Sequence, residues 1–165
     1  MTLDRAKTYA MNALASRMYT AKEMRDKLVR KGVDIEAIDE IIAALTAEKF
    51  INDELYAESY VIDGVNLKGK GLYRIRQELR VKGVAAGVIE DAVKRAEENI
   101  DTGESLRAVV EQRLGDTKFH SYKELEKFKA KLMYRGYSIG EIRECFEEMG
   151  IKVVSEPLED GFDEC

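Results

Sequence analysis

Between residues 68 and 82 six basic side chains, Lys68, Lys70, Arg74, Arg76, Arg80 and Lys82, stand against one acid, Glu78. That density of positive charge is the chemistry of an electrostatic docking surface, suited to phosphate backbones or to an acidic protein groove. On a helix Arg76 and Arg80 share one face, and Lys70 and Arg74 share another about a quarter turn away. Leu72, Ile75 and Leu79 then turn inward and leave the bases facing solvent. Two other segments repeat the bias. Lys22, Arg25, Lys27, Arg30 and Lys31 stand against Glu23 and Asp26, and Lys123, Lys127, Lys129, Lys131 and Arg135 against Glu124 and Glu126. The expected binding surface is therefore a stripe strongest in the middle segment, extended by Arg25, Lys31 and Arg135.

Catalytic chemistry has far less to work with. The one histidine, His120, lies in a turn-like stretch with no nucleophile pattern around it. Cys145 falls where the other repeats carry Ile41 and Ala92, which predicts a core side chain, and Cys165 lies in the acidic tail. Gly69-Lys70-Gly71 resembles a phosphate-cradling loop but lacks the spacing and the preceding strand of a P-loop, so it reads as a flexible hinge. No metal-ligand spacing occurs, and no cofactor and no enzymatic activity are expected.

The elements that must carry these bases are helices. Three segments align on Gly32, Gly83 and Gly136, spaced 51 and 53 residues apart. Leu28, Leu79 and Leu132 stand four before the glycine, Met24, Ile75 and Phe128 eight before, and Ile38, Ile89 and Ile142 six after. Such offsets describe two amphipathic helices joined by a short turn. The glycine supplies a left-handed residue past the end of a helix, and the base before it, Lys31, Lys82 or Arg135, faces the negative end of the helix dipole. Thr20 with Glu23, Ser121 with Glu124 and Ser138 with Glu141 read as capping boxes. A further helix precedes each pair, at roughly 3–18, 52–66 and 102–115, with Asn52 or Asp53 and Thr102 as N-caps. The predicted fold is all-α: three tandem three-helix repeats at 1–50, 51–100 and 101–152, forming an elongated, curved array, with an acidic, disordered tail at 153–165.

The chain has 165 residues, 45% of them hydrophobic, with one Pro and no Trp. It can build a core, and no apolar run approaches the roughly 18 residues of a membrane span. The net charge of −5 resides in residues 156–165, where Glu156, Glu159, Asp160, Asp163 and Glu164 meet no base, so the body is neutral overall. Two cysteines without a CxxC pattern, and no signal-like apolar segment, predict a cytoplasmic monomer that meets no membrane.

Phe50-Ile51-Asn52-Asp53, with Tyr56, Ala57, Tyr60 and Val61, and then Gly71, Arg74, Ile75, Glu78, Leu79, Lys82, Gly83 and Val84, resemble the signature of the RecX family of bacterial regulatory proteins. Leu28-Val-Arg-Lys-Gly32 and Leu132-Met-Tyr-Arg-Gly136 extend the likeness over about residues 5–150. The resemblance implies tandem three-helix repeats, no catalytic residues, and a partner: the RecA recombinase filament, whose ATP hydrolysis and strand exchange such proteins usually inhibit. It thereby implies a role in DNA repair, recombination and the SOS response. Arg74 and Lys82 are the basic positions that also belong to the motif, and Arg76 and Arg80 are expected to approach the filament groove or its DNA. Two other readings stay open: a helix-turn-helix-like module that binds single- or double-stranded DNA without RecA, and a structural adaptor that leaves RecA unaffected.

Overall fold

The computed structural model describes residues 1–154, and the tail from 155 lies outside the described residues. Nine helices occur among the described residues: α1 (Leu3–Ser16), α2 (Ala21–Arg30), α3 (Ile35–Ala47), α4 (Asp53–Asn66), α5 (Leu72–Val81), α6 (Ala86–Asn99), α7 (Thr102–Leu114), α8 (Tyr122–Tyr134) and α9 (Ile139–Met149). They form an all-α repeat array in three sets of three. The second helix of each set ends in a glycine of positive φ: Gly32 at 80°, Gly83 at 82° and Gly136 at 104°. A side chain with a Cβ is strained there, so the repeat register and the backbone geometry have one cause.

Each set closes on its own core. Met24, Leu28, Ile38, Ile41, Leu45 and Ile51 pack in the first, and Ile75, Leu79, Ile89 and Val93 in the second. Leu106, Val110, Leu132, Ile142 and Phe146 pack in the third, together with Cys145, whose thiol burial pushes up in pKa.

Local signals place most helix ends. Thr20 and Ser138 form complete capping boxes with Glu23 and Glu141. Ser121 makes half of one: it caps Glu124, but the Glu124 carboxylate accepts from the His120 N–H instead of reaching back to Ser121. The cap of α7 is Asp101, one residue before the expected Thr102, because the carboxylate accepts the Glu104 N–H at 3.0 Å. Helix α1 stops at Ser16 because Arg17 leaves the helix to stack 3.7 Å over Tyr19 and pair with Glu23.

The Gly69-Lys70-Gly71 segment is a locked joint, not a hinge. The Gly71 N–H donates to the Arg135 carbonyl at 2.8 Å, and a Cβ on Gly71 would run into the Gly136 carbonyl. The Arg135 guanidinium donates to the carbonyls of Lys68 and Gly69, and the Tyr137 hydroxyl also donates to Gly69. The joint before it has the same plan. The buried Thr20 hydroxyl donates to the Lys82 carbonyl at 2.6 Å, and Lys22 lies against Gly83. In both, the glycine turn closing one module's second helix rests on the N-terminus of the previous module's second helix.

Candidate functional site in the central module

Tyr60 on α4 and Lys70, Arg74 and Glu78 around α5 meet at one carboxylate. Lys70 Nζ donates to Glu78 at 2.8 Å, Arg74 Nε at 2.9 Å, and the Tyr60 hydroxyl makes a third, short hydrogen bond. Burial opposes the Glu78 charge, but the bonds from Lys70, Tyr60 and Arg74 outweigh it and hold the carboxyl at about 2. Burial and the same carboxylate push the Tyr60 phenol up. Lys70 and Lys82 both lie 5.6 Å from the centre of the Tyr60 ring. The cluster can hold charge and orient donors.

Beside it runs a groove of about 660 Å³ between α5 and the end of α8. Its walls include Tyr73 (61% exposed), Val81 (77%) and Tyr134 (80%), with Met133 behind. Arg74 lies 5.5 Å from the Tyr134 ring centre and joins the two walls. Exposed aromatic and aliphatic side chains rimmed by fixed cations are interface chemistry.

The expected stripe is divided in the structure. Arg74 and Lys82 line the groove. Lys70 reaches the Glu78 cluster beside it, from the segment before α5, since the helix begins only at Leu72. Arg76 turns to α6 and pairs with Glu90 at 3.0 Å, while exposed Arg80 has no ion-pair partner among the described residues. Arg25 pairs with Asp39 at 2.6 Å, Lys31 leans over Tyr9, and Arg135 is spent on backbone carbonyls of the joint. Lys68 is exposed beside that joint. Tyr56 is buried in the core, whereas Tyr60, one turn on, is only half-buried and faces the cluster. The basic residues alone do not single out Tyr73 or Tyr134; the signal in the sequence is their position on the polar side of amphipathic helices, and for Tyr134 its place beside Gly136.

The three cores, the repeated glycine turns and the polar cluster define a tandem three-helix repeat protein. Residues 52–93 match the family model of the second three-helix domain of RecX, and residues 6–45 that of the first. A regulatory protein RecX of Halorhodospira halophila is 34% identical over 134 residues, covering 81% of each chain. One of Oceanobacillus iheyensis is 34% identical over 150 residues, 90% of this chain but 54% of that protein, so this chain spans about half its length. The crystal structure of RecX from Lactobacillus salivarius superposes with a TM-score of 0.73 at 30% identity, covering 90% of this chain and 96% of the other. The chain belongs to the RecX family. Its curated relatives are named as regulatory proteins, and no helix among the described residues is long and apolar enough to cross a membrane.

Proposed function

We propose that this chain acts in the cytoplasm as a regulator of the RecA nucleoprotein filament, binding it and inhibiting ATP hydrolysis and strand exchange. One observation carries the reading: Tyr60, Arg74, Glu78 and Lys82, four polar residues of the RecX-like motif, gather at one groove rimmed by exposed Tyr73 and Tyr134. Arg74 and Lys82 orient the filament surface electrostatically, and the tyrosines supply desolvated contact area. Arg80 extends the charged rim, whereas Arg76, neutralised by Glu90, contributes less than its place in the sequence suggests.

Titration into RecA ATPase on single-stranded DNA tests this. Wild-type protein lowers the rate. Tyr73→Ala with Tyr134→Ala weakens inhibition at least tenfold, about 1.4 kcal/mol or more, while circular dichroism stays helical. Arg76→Glu with Arg80→Glu has a smaller effect that fades with salt. Unchanged inhibition by the tyrosine pair would move the binding face elsewhere, and wild-type protein without effect on RecA would remove the proposal. Salt-titrated DNA binding without RecA separates it from a module that acts on nucleic acid alone.

A further inference from the structure

The third module carries a basic surface that the central groove does not use. Along α8, Lys123, Lys127 and Lys131 are exposed, one helical turn and about 6 Å apart. None makes an ion pair with a described residue, and the acids between them are engaged elsewhere: Glu126 with Lys129, and Glu124 with the His120 N–H. The row leads into a cleft of about 430 Å³ lined by Arg74, Arg113, Ala130, Lys131, Tyr134 and Arg135. Among these cations only Arg74 has a carboxylate partner within the described residues, Glu78. Burial, then the charge of Arg113 and that of Arg74, lower the Arg135 pKa, as expected of like charges crowded together.

An occupant of this surface needs charge at intervals along a flexible chain, and a flat face. A straight row of ammonium groups, none of them paired within the described residues, suits successive phosphates. The forked guanidinium of Arg113 suits two oxygens of one phosphate. Arg135, whose donors go to the carbonyls of Lys68 and Gly69, adds positive potential and no contact of its own. Tyr134 is 80% exposed in the same cleft, with Arg74 5.5 Å from its ring centre. An unpaired base of any kind stacks on such a ring. A double helix keeps its base faces within its own stack, and an acidic peptide meets the row without using the ring. Row, fork and ring together match single-stranded nucleic acid.

We propose that α8 and its cleft form a binding site for single-stranded nucleic acid. The phosphate chain runs along Lys123, Lys127 and Lys131 to Arg113, and a base stacks on Tyr134. Lys123 to Tyr134 spans about 17 Å of helix, room for at most about five nucleotides at about 3.4 Å or more each. The contacts are to phosphates and to a base face, so the site is indifferent to sequence. Arg74 and Tyr134 also line the central groove, so a strand bound here lies against whatever fills that groove.

The test is fluorescence anisotropy of the full chain with a labelled thymidine oligonucleotide of about ten nucleotides, in the absence of RecA. Four phosphate contacts predict that log affinity falls with log salt at a slope of about −3. Lys127→Gln with Lys131→Gln, checked for helicity, should weaken binding at least about tenfold and reduce that slope by about 1.4. Tyr134→Ala should weaken binding at least about fivefold with the slope unchanged, whereas Tyr134→Phe should bind like the wild type. Absent binding at low salt, a lysine variant with the wild-type slope, or a Tyr134→Ala variant of wild-type affinity overturns the proposal. So does Tyr134→Phe failing as Tyr134→Ala does. A duplex of the same length that binds as tightly, or an acidic peptide that displaces the oligonucleotide at equal charge, also overturns it, because the occupant is then another macromolecule. A protein that binds the oligonucleotide yet leaves RecA unaffected keeps this site and loses the proposed function; the reverse result loses the site alone.

Discussion

Counted back from their turn glycines, the central and third modules hold equivalent positions with opposite electrostatic solutions. At twenty-three, thirteen, nine, five and one residues before Gly83 stand Tyr60, Lys70, Arg74, Glu78 and Lys82. Before Gly136 stand Arg113, Lys123, Lys127, Lys131 and Arg135. The central set contains its own counter-charge and acceptor network, closed around Glu78. The third set has the same register and no acid. One backbone plan thus yields a preorganised polar cluster in one module and, in the next, a cationic row with no ion-pair partner among the described residues. What a repeat does is decided at the few positions where the copies differ, not by the helices they share.

The largest test of that comparison is at the joint that places the two sets side by side. Gly71→Ala puts a methyl group into the Gly136 carbonyl, where the neighbour is backbone and cannot turn aside. A loss of about 3 kcal/mol in urea unfolding is expected, with an unfolding transition that separates into steps. A single unchanged transition would show that the modules are not locked there.

Removing the central counter-charge comes next. Glu78→Gln leaves Lys70 and Arg74 facing a neutral amide and should cost about 2 kcal/mol, allowing for the partial exposure of the cluster. The sign with pH follows from the lowered carboxyl. Its stabilisation is complete above the ordinary value near 4.5 and is lost as pH falls toward about 2. Wild-type stability measured over that interval should fall more steeply than that of the Gln variant. Parallel curves would mean that Glu78 is not held by its three partners.

The smallest effect is the converse exchange. Lys131→Glu gives the third module the carboxylate that the central one has at the same register, next to Lys127 and Arg135. It should be neutral or stabilising by up to about 0.5 kcal/mol, read as the melting midpoint at low salt. A clear destabilisation would show that the row is not electrostatically frustrated, and the comparison would lose its meaning.

The features legible in the sequence are those whose cause is local. Helix periodicity, the Thr20 and Ser138 caps and the positive φ of Gly32, Gly83 and Gly136 all depend on residues within a turn or two. Arg74 and Glu78, four apart on one helix, were a readable pair. Illegible were contacts whose partners are remote in the chain. Gly71 looked flexible because Arg135 and Gly136 lie some 65 residues away, and Arg76 looked free because Glu90 belongs to the next helix. The basic row of α8 was visible as composition but diluted by Glu124 and Glu126, which the structure shows engaged elsewhere.

The repeated joint also bears on how the molecule comes apart. Three cores joined by glycine turns, a few hydrogen bonds and packing of α4 on α7 behave as a short row of coupled units, each opening at a cost set by itself and its immediate neighbours. The first and third modules are each held on one side. The central module is held on both, by Thr20 on Lys82 and by Arg135 and Gly136 on Gly71. Fraying therefore begins at the ends of the row and stops at the middle, so the α5 wall of the groove keeps its shape while the α8 wall, carried by an outer module, is the side that can open.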